Sequence, residues 1–217
     1  MPDAGAGDDL KPLNIGVLGV QGDIEEHEAA LKLAYRNLGL DGKVTWLKTS
    51  PQAENVQGLV VPGGESTAIG RLAEDNAVLQ TLRGRIEKGL PTLGTCAGII
   101  MLAEEVHDRT MDETNQHLLG GLDVTVERNA FGRQRESFEA NLSIPVLGSN
   151  PFRGVFIRAP IVKQVSPKVE VLSKLEDRIV AIKQGNIVGT SFHPELSRDN
   201  RLHEYFVRTV TPNPILT

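Results

Sequence analysis

Residues 14–20 (NIGVLGV) form a near-continuous apolar run, the pattern of a strand buried on both faces of a sheet. A Gln21-Gly22 turn follows, and Asp23 with Glu26 matches a capping box opening a helix. Within that helix Ile24, Leu31, Tyr35 and Leu38 fall on one stripe flanked by Ala30 and Ala34, and Gly39 stops it. Residues 44–47 (VTWL) and 58–62 (GLVVP) fit a second and a third strand, the third running into Pro62-Gly63-Gly64. Helical spacing returns at about 67–73 and 76–88, the latter with Asp75 as its cap and Gly89 as its stop. Residues 90–94 (LPTLG) read as a short strand that breaks at Gly94, and 97–105 as a helix. From about 122 the texture changes to short alternating strands near 122–127, 137–143, 154–157, 168–172, 178–184 and 187–191. A last helix near 200–210 carries Leu202, Tyr205, Phe206 and Val210 on one face. Alternating β and α units predict an α/β fold with a mainly parallel central sheet flanked by helices, and the later strands an antiparallel extension. No boundary interrupts the pattern, so a single domain is expected over 13–212, behind a disordered lead-in over 1–12.

Composition narrows the partners. With 217 residues the chain is long enough for one substantial core. A hydrophobic share of 40% and a charged share of 24% are those of an ordinary globular protein. The net charge is −5 and no Lys/Arg block occurs, which disfavours nucleic acid as a partner. The start, MPDAGAGDDLKP, has no apolar stretch behind a basic one, so neither a signal peptide nor a membrane anchor is expected and a cytoplasmic location is. A single cysteine rules out an internal disulfide framework or a Cys-rich zinc site.

That cysteine lies in Gly94-Thr95-Cys96-Ala97-Gly98, between a short strand and a helix. Glycines on both sides let the chain turn sharply, as in the nucleophile elbow of hydrolases. The turn sets the Cys96 sulfur at a helix N-terminus, where free N–H groups favour thiolate. A thiolate nucleophile needs a base, and the base an orienting group. Ser191-Phe192-His193-Pro194-Glu195 supplies both: residues two apart point the same way, so Glu195 reaches the imidazole of His193, and Pro194 stiffens the link. His27, His107, His117 and His203 have no comparable neighbourhood and are expected to be solvated or to pack. Pro62-Gly63-Gly64-Glu65-Ser66-Thr67 lets backbone N–H groups approach a developing oxyanion. A phosphate cradle is the alternative, but the Lys of a P-loop and the G-x-G-x-x-G spacing are absent.

The G-x-C-x-G elbow, the upstream PGG and the downstream H-P-E together resemble the class I (triad-type) glutamine amidotransferase domains. IGVLGVQGD, LVVPGGEST, GTCAGII, VERNAFGRQRESFEA (126–140), GVFIRAP (154–160) and TSFHPEL (190–196) are similar to one branch, the glutaminase subunits of pyridoxal 5′-phosphate synthase. The match is collinear from about residue 13 to 210. The resemblance implies that Cys96 attacks the glutamine carboxamide, His193 relays the proton and Glu195 orients it. It assigns the oxyanion hole to the N–H groups of Gly64 and Ala97, and glutamine binding to Gly63, Gly64, Glu65, Arg128, Ile157 and Arg158. An arginine there suits the substrate carboxylate, although Arg128 and Arg158 could equally pair with surface carboxylates. Gln21 matches a position near the oxyanion loop that would report partner docking. Also implied are hand-over of ammonia to a separate (β/α)₈-barrel synthase subunit in a hetero-oligomer, and dependence on that partner for full activity. With two glycines in the oxyanion loop a peptide flip costs little, so docking would select the state with its N–H turned inward. The chemistry requires neither a metal nor an organic cofactor. The lead-in and the polar loop at 107–117 are longer than the branch pattern. Alternative readings are a glutaminase serving another synthase, such as that of imidazole glycerol phosphate, a γ-glutamyl hydrolase, and a non-catalytic binding module.

Overall fold

The computed structural model describes residues 12–108, 116–128 and 137–211. All of the expected lead-in except Pro12, most of the 107–117 loop and the centre of the 126–140 segment lie outside them. The chain alternates as expected through β1 (Leu13–Leu18), α1 (Ile24–Leu38), β2 (Gly42–Leu47), α2 (Ser50–Ala53), β3 (Gly58–Val61), α3 (Ser66–Asp75), α4 (Val78–Glu87), β4 (Thr92–Thr95) and α5 (Ala97–Leu102). Strands then dominate: β5 (Ala103–Asp108), β6 (Leu122–Arg128), β7 (Ser137–Leu142), β8 (Phe152–Ile157), β9 (Ile161–Val165), β10 (Glu170–Leu175), β11 (Arg178–Gln184) and β12 (Ile187–Thr190), before α6 (Arg201–Val210).

Ten strands form one sheet in the order β2-β1-β3-β4-β12-β11-β9-β6-β5, with β10 paired to β11. The half from β2 to β12 is parallel; β11 runs antiparallel to β12, β9 and β10, and β9 antiparallel to β6. β7 and β8 make a separate hairpin. The two-residue period of a strand divides the core between the faces. Ile15, Val17, Val60, Leu93 and Val188 pack with Leu31 and Tyr35 of α1 and with Phe206 of α6. Leu18, Leu59, Val61 and Ile187 pack with Ile69, Leu79, Leu82 and Met101 on the helices of the other face. Each large side chain fully buried in this way contributes roughly 1.5–3 kcal/mol.

Three expectations are corrected, and two further elements appear. Asp23 stands at the start of α1 but makes no side-chain cap; its carboxylate turns elsewhere. Asp75 does not cap α4, because α3 runs on through it and the break comes at Ala77, with φ 57°. The helix begun at Ala97 stops at Leu102 instead of 105: Ala103 is extended and leads into β5, which pairs parallel with β6. Strand pairing there overrides the helix preference of Ala-Glu-Glu, which is only a weak local bias. α2 and β9 were not anticipated. α2 has four residues, too few to show a period, and β9 (IVKQV) follows a Pro and mixes buried with exposed positions. Among the described residues no helix is long and apolar enough to cross a membrane.

Candidate active site

The strand order brings the two halves of the site together. β4 and β12 are parallel neighbours with Thr95 beside Thr190, so Cys96 and His193 leave the same edge of the sheet although far apart in sequence. Cys96 N–H donates to Thr190 O at 2.8 Å. Cys96 has φ 49° and ψ −103°, a backbone state that is strained for a residue with a Cβ. The tight packing of α5 on β3 holds it there: a Cβ on Gly98 would stand 2.0 Å from Val61 O. Cys96 is 7% exposed and its Sγ lies 3.7 Å from Ile157 O. α5 is a short helix, but an N-terminal field acts mainly within its first turn, where Cys96 sits.

After β12 the chain buries Phe192 against Phe152 and Phe156, and His193 N–H donates to Val155 O at 2.8 Å. Glu195 follows on a single 3-10 turn, Pro194–Leu196. His193 Nδ1 lies 2.7 Å from Glu195 Oε1 and 3.2 Å from Asp23 Oδ2. A nitrogen shared by two carboxylates carries its proton, which leaves Nε2 for Cys96. Burial alone would lower the His193 pKa, but hydrogen bonds to Asp23, Cys96 and Glu195 outweigh it and push the imidazole well above its ordinary value. Burial raises Glu195, and the His193 hydrogen bond and charge oppose that rise. Asp23, His193 and Glu195 also present three ligand-type atoms within 4.8 Å of one another; two short contacts on a single nitrogen are the geometry of a shared proton.

A cavity of about 280 Å³ opens over Cys96, lined by Gln21, Asp23, Gly64, Glu65, Ser66, Ala97, Ile100, Arg128, Ile157, Arg158, Pro160 and His193. Most residues singled out from the sequence therefore face one space. Gly63 is not on its wall: it is buried behind, where a Cβ would come within 2.4 Å of His193 Cε1. Glu195 likewise stands behind His193. Glu65 caps α3, accepting from the N–H groups of Thr67 and Ala68 at 3.0 and 2.7 Å. These bonds and the Arg128 charge hold its carboxyl below the ordinary value despite burial. Arg128 donates to Glu65 Oε1 at 3.1 Å and Thr67 Oγ1 at 3.2 Å. Arg158 is exposed and has φ 43°. Gln21 Oε1 accepts from Glu65 N–H at 2.9 Å, and Asp23 N–H donates to Gly63 O at 3.3 Å, so the Gln21 turn and the Gly63-Gly64-Glu65 loop are tied together.

Sequence reasoning missed the parts played by Asp23 and Ser66 and the polar contacts of two histidines. Asp23 was expected as a helix cap and instead faces His193. Ser66 has a buried Oγ without a partner among the described residues and lines the cavity; its place beside Gly63-Gly64-Glu65 was the available signal. His27 and His203 pack, as expected, but with polar contacts behind the site: His27 lies 3.1 Å from His203, 3.0 Å from Thr95 Oγ1 and 3.3 Å from Glu195 Oε2.

Comparison with known proteins agrees with this geometry. The profile of the SNO glutamine amidotransferase family matches residues 17–212. The chain is 48% identical over 196 residues to the pyridoxal 5′-phosphate synthase subunit PdxT of Nitrosopumilus maritimus (strain SCM1), covering 90% of this chain and 96% of that one. It is 49% identical over 199 residues to the protein of the same name from Pyrococcus furiosus, covering 91% and 99%. A crystal structure of a glutamine amidotransferase superposes with a TM-score of 0.78 at 44% identity, over 90% of this chain and 98% of that one. A glutamine amidotransferase from Thermotoga maritima, at 14% identity and a TM-score of 0.55, shares the fold alone. With the profile matched from residue 17 to 212 and relatives aligned along nearly their whole length, this chain belongs to the SNO glutamine amidotransferase family.

Proposed function

We propose that this protein hydrolyses L-glutamine to L-glutamate and ammonia through Cys96, His193 and Glu195, and delivers the ammonia to a separate subunit that makes pyridoxal 5′-phosphate. The observation that carries the reading is the strained Cys96 at the floor of a small cavity, beside an imidazole whose other nitrogen is 2.7 Å from a buried carboxylate. The Cys96 thiolate attacks the carboxamide carbon, and the carbonyl π pair moves onto oxygen. The N–H groups of Gly64 and Ala97 receive that oxyanion. Collapse of the intermediate breaks the C–N bond while His193 Nε2–H gives its proton to the departing nitrogen, releasing ammonia and leaving a thioester. Water then attacks the thioester, giving its proton to His193; glutamate leaves and the thiolate–imidazolium pair is restored. Glu195 holds the tautomer throughout.

Arg128 and Arg158 suit the substrate carboxylate, and Glu65 and the free hydroxyl of Ser66 its polar atoms. The relatives' name, a synthase subunit, supports an ammonia-using partner. The family resemblance supports a (β/α)₈ barrel as that partner. Because Gln21 is bonded to Glu65 N–H, a partner that moves the Gln21 turn also moves the Gly63-Gly64 peptide, which gives docking a route to the oxyanion hole. The test is glutamate release from glutamine by the purified chain, with and without the pyridoxal phosphate synthase barrel, beside Cys96→Ala. Release that rises with the barrel and vanishes in Cys96→Ala is the expected result. An active Cys96→Ala protein would sink the mechanism, and activity indifferent to the barrel would sink the partner assignment.

A further inference from the structure

Behind Glu195 runs a buried polar chain that the reaction above does not use. His27 of α1 and His203 of α6 have no exposed surface. His27 Nδ1 is 3.1 Å from His203 Nε2, while His27 Nε2 is 3.0 Å from Thr95 Oγ1 and 3.3 Å from Glu195 Oε2. That carboxylate oxygen has no aligned hydrogen bond among the described residues, and His27 Nε2 at 3.3 Å is the donor-type atom that stands against it. The surroundings fix the tautomers. A lone pair on His27 Nε2 would face a carboxylate, so Nε2 carries the proton and shares it between Thr95, the better aligned acceptor, and Glu195. Nδ1 then accepts, and the hydrogen comes from His203 Nε2. His203 Nδ1 is left with a lone pair and no partner, a lesser penalty than a buried N–H without an acceptor.

We propose that His27, oriented by His203, is a positioning residue for the triad: its Nε2–H holds Glu195 Oε2, so that the carboxylate stays ionised with Oε1 turned to His193. The proposal rests on the triad reading above. The groups facing Glu195 are His193 from the turn after β12, His27 from α1 and Asp23 at the α1 start, with His203 and Cys96 one step beyond. Asp23 and burial both push Glu195 toward its neutral form, and His193 opposes them. Removal of the His27 donor tips the balance toward the acid, which cannot stabilise an imidazolium. His27 itself stays uncharged, held down first by burial and then by the neighbouring imidazoles of His203 and His193, beside which a further positive charge is disfavoured. It acts as a fixed dipole and not as a second base.

The test is the rate of Cys96 alkylation by iodoacetamide across pH in the full chain, with kcat and KM for glutamine in the barrel complex. Wild type, His27→Leu, His27→Gln and His27→Asn are compared. In His27→Leu the acid limb of the alkylation profile is expected to move up by about one pH unit, and kcat to fall about tenfold with KM nearly unchanged. The Gln amide reaches the place of Nε2 and recovers most of the effect; the shorter Asn does not. A folded His27→Leu with the wild-type profile overturns the proposal, as does equal loss in all three variants, which is the signature of packing alone. Should His27→Leu not fold, identical profiles for Gln and Asn overturn it. Cys96→Ala separates the two levels: an active Cys96→Ala enzyme defeats the triad itself, whereas an inactive one beside an unshifted His27→Leu defeats only the positioning role.

Discussion

Replacement of His203 by Gln gives a pH-dependent stability change whose size follows from burial. His203 has no exposed surface, and burial pushes its pKa from 6.5 down to about 4. A histidine with a depressed native value is neutral when folded, so below 6.5 the unfolded chain takes up a proton that the folded chain refuses. Stability is therefore intact above that value and is lost as pH falls, until the loss levels off below about 4. At about pH 5 the unfolded imidazole lies ~1.5 units below its pKa and is nearly all protonated, while the native one is nearly all neutral. At ~1.36 kcal/mol per unit, the penalty is roughly 2 kcal/mol. His27, also depressed, works in the same direction, and Glu195, whose pKa is raised, in the opposite one. Glu195 remains in the variant and a subtraction removes it, and His27 stays fully buried there, so burial, the first cause of its depression, is retained. Gln has no titratable group and keeps an amide donor toward His27. The assay is urea unfolding of both proteins at about pH 7.5 and about pH 5. The stability difference between variant and wild type should move by roughly 2 kcal/mol in favour of the variant at the lower pH. Parallel loss in the two proteins would refute the argument that a neutral, buried His203 resists acid.

Two further outcomes follow from the site's backbone and its cations. Gly98→Ala drives a methyl group to within 2.0 Å of Val61 O, which neither main chain can easily yield; thermal unfolding should show a loss on the order of 1–3 kcal/mol, with glutamine hydrolysis falling further as the elbow moves. Arg128→Ala removes a cavity guanidinium, and steady-state kinetics with the synthase partner present should show KM for glutamine raised about 10- to 100-fold, the worth of a hydrogen bond to a charged group; an unchanged KM would assign Arg128 to its Glu65, Thr67 and Asp108 contacts alone.

Legibility in the sequence followed the range of the causes. The Cys96 elbow and the His193-Pro194-Glu195 pair were readable because each is a local constraint: glycines at fixed offsets, and two side chains on one side of an extended stretch. The parallel half of the sheet was readable because strands such as NIGVLGV are apolar on both faces. Asp23 was misread because a local rule, capping, competed with a partner 170 residues away, and nothing nearby in the sequence marks that choice. His27 and His203 looked like ordinary packing residues for the same reason: their meaning lies in the approach of α1 and α6 over the end of β4. β5 and β9 gain their strand character from neighbours in the sheet, and the local pattern of neither forecasts it.

The insertion of β12 beside β4 also governs the order in which the molecule can be completed. When synthesis has passed Cys96 and the β3–β4 pair has formed, β4 still has an open flank, since its other neighbour comes from residues 187–190. Through almost a hundred residues of growth that flank is a bare edge able to pair with a neighbouring nascent chain. The same delay reaches the thiol: an N-terminal fragment carries Cys96 without the imidazole of His193 and the carboxylate behind it. The imidazole neighbour of Cys96 and a closed sheet thus arrive in one late event.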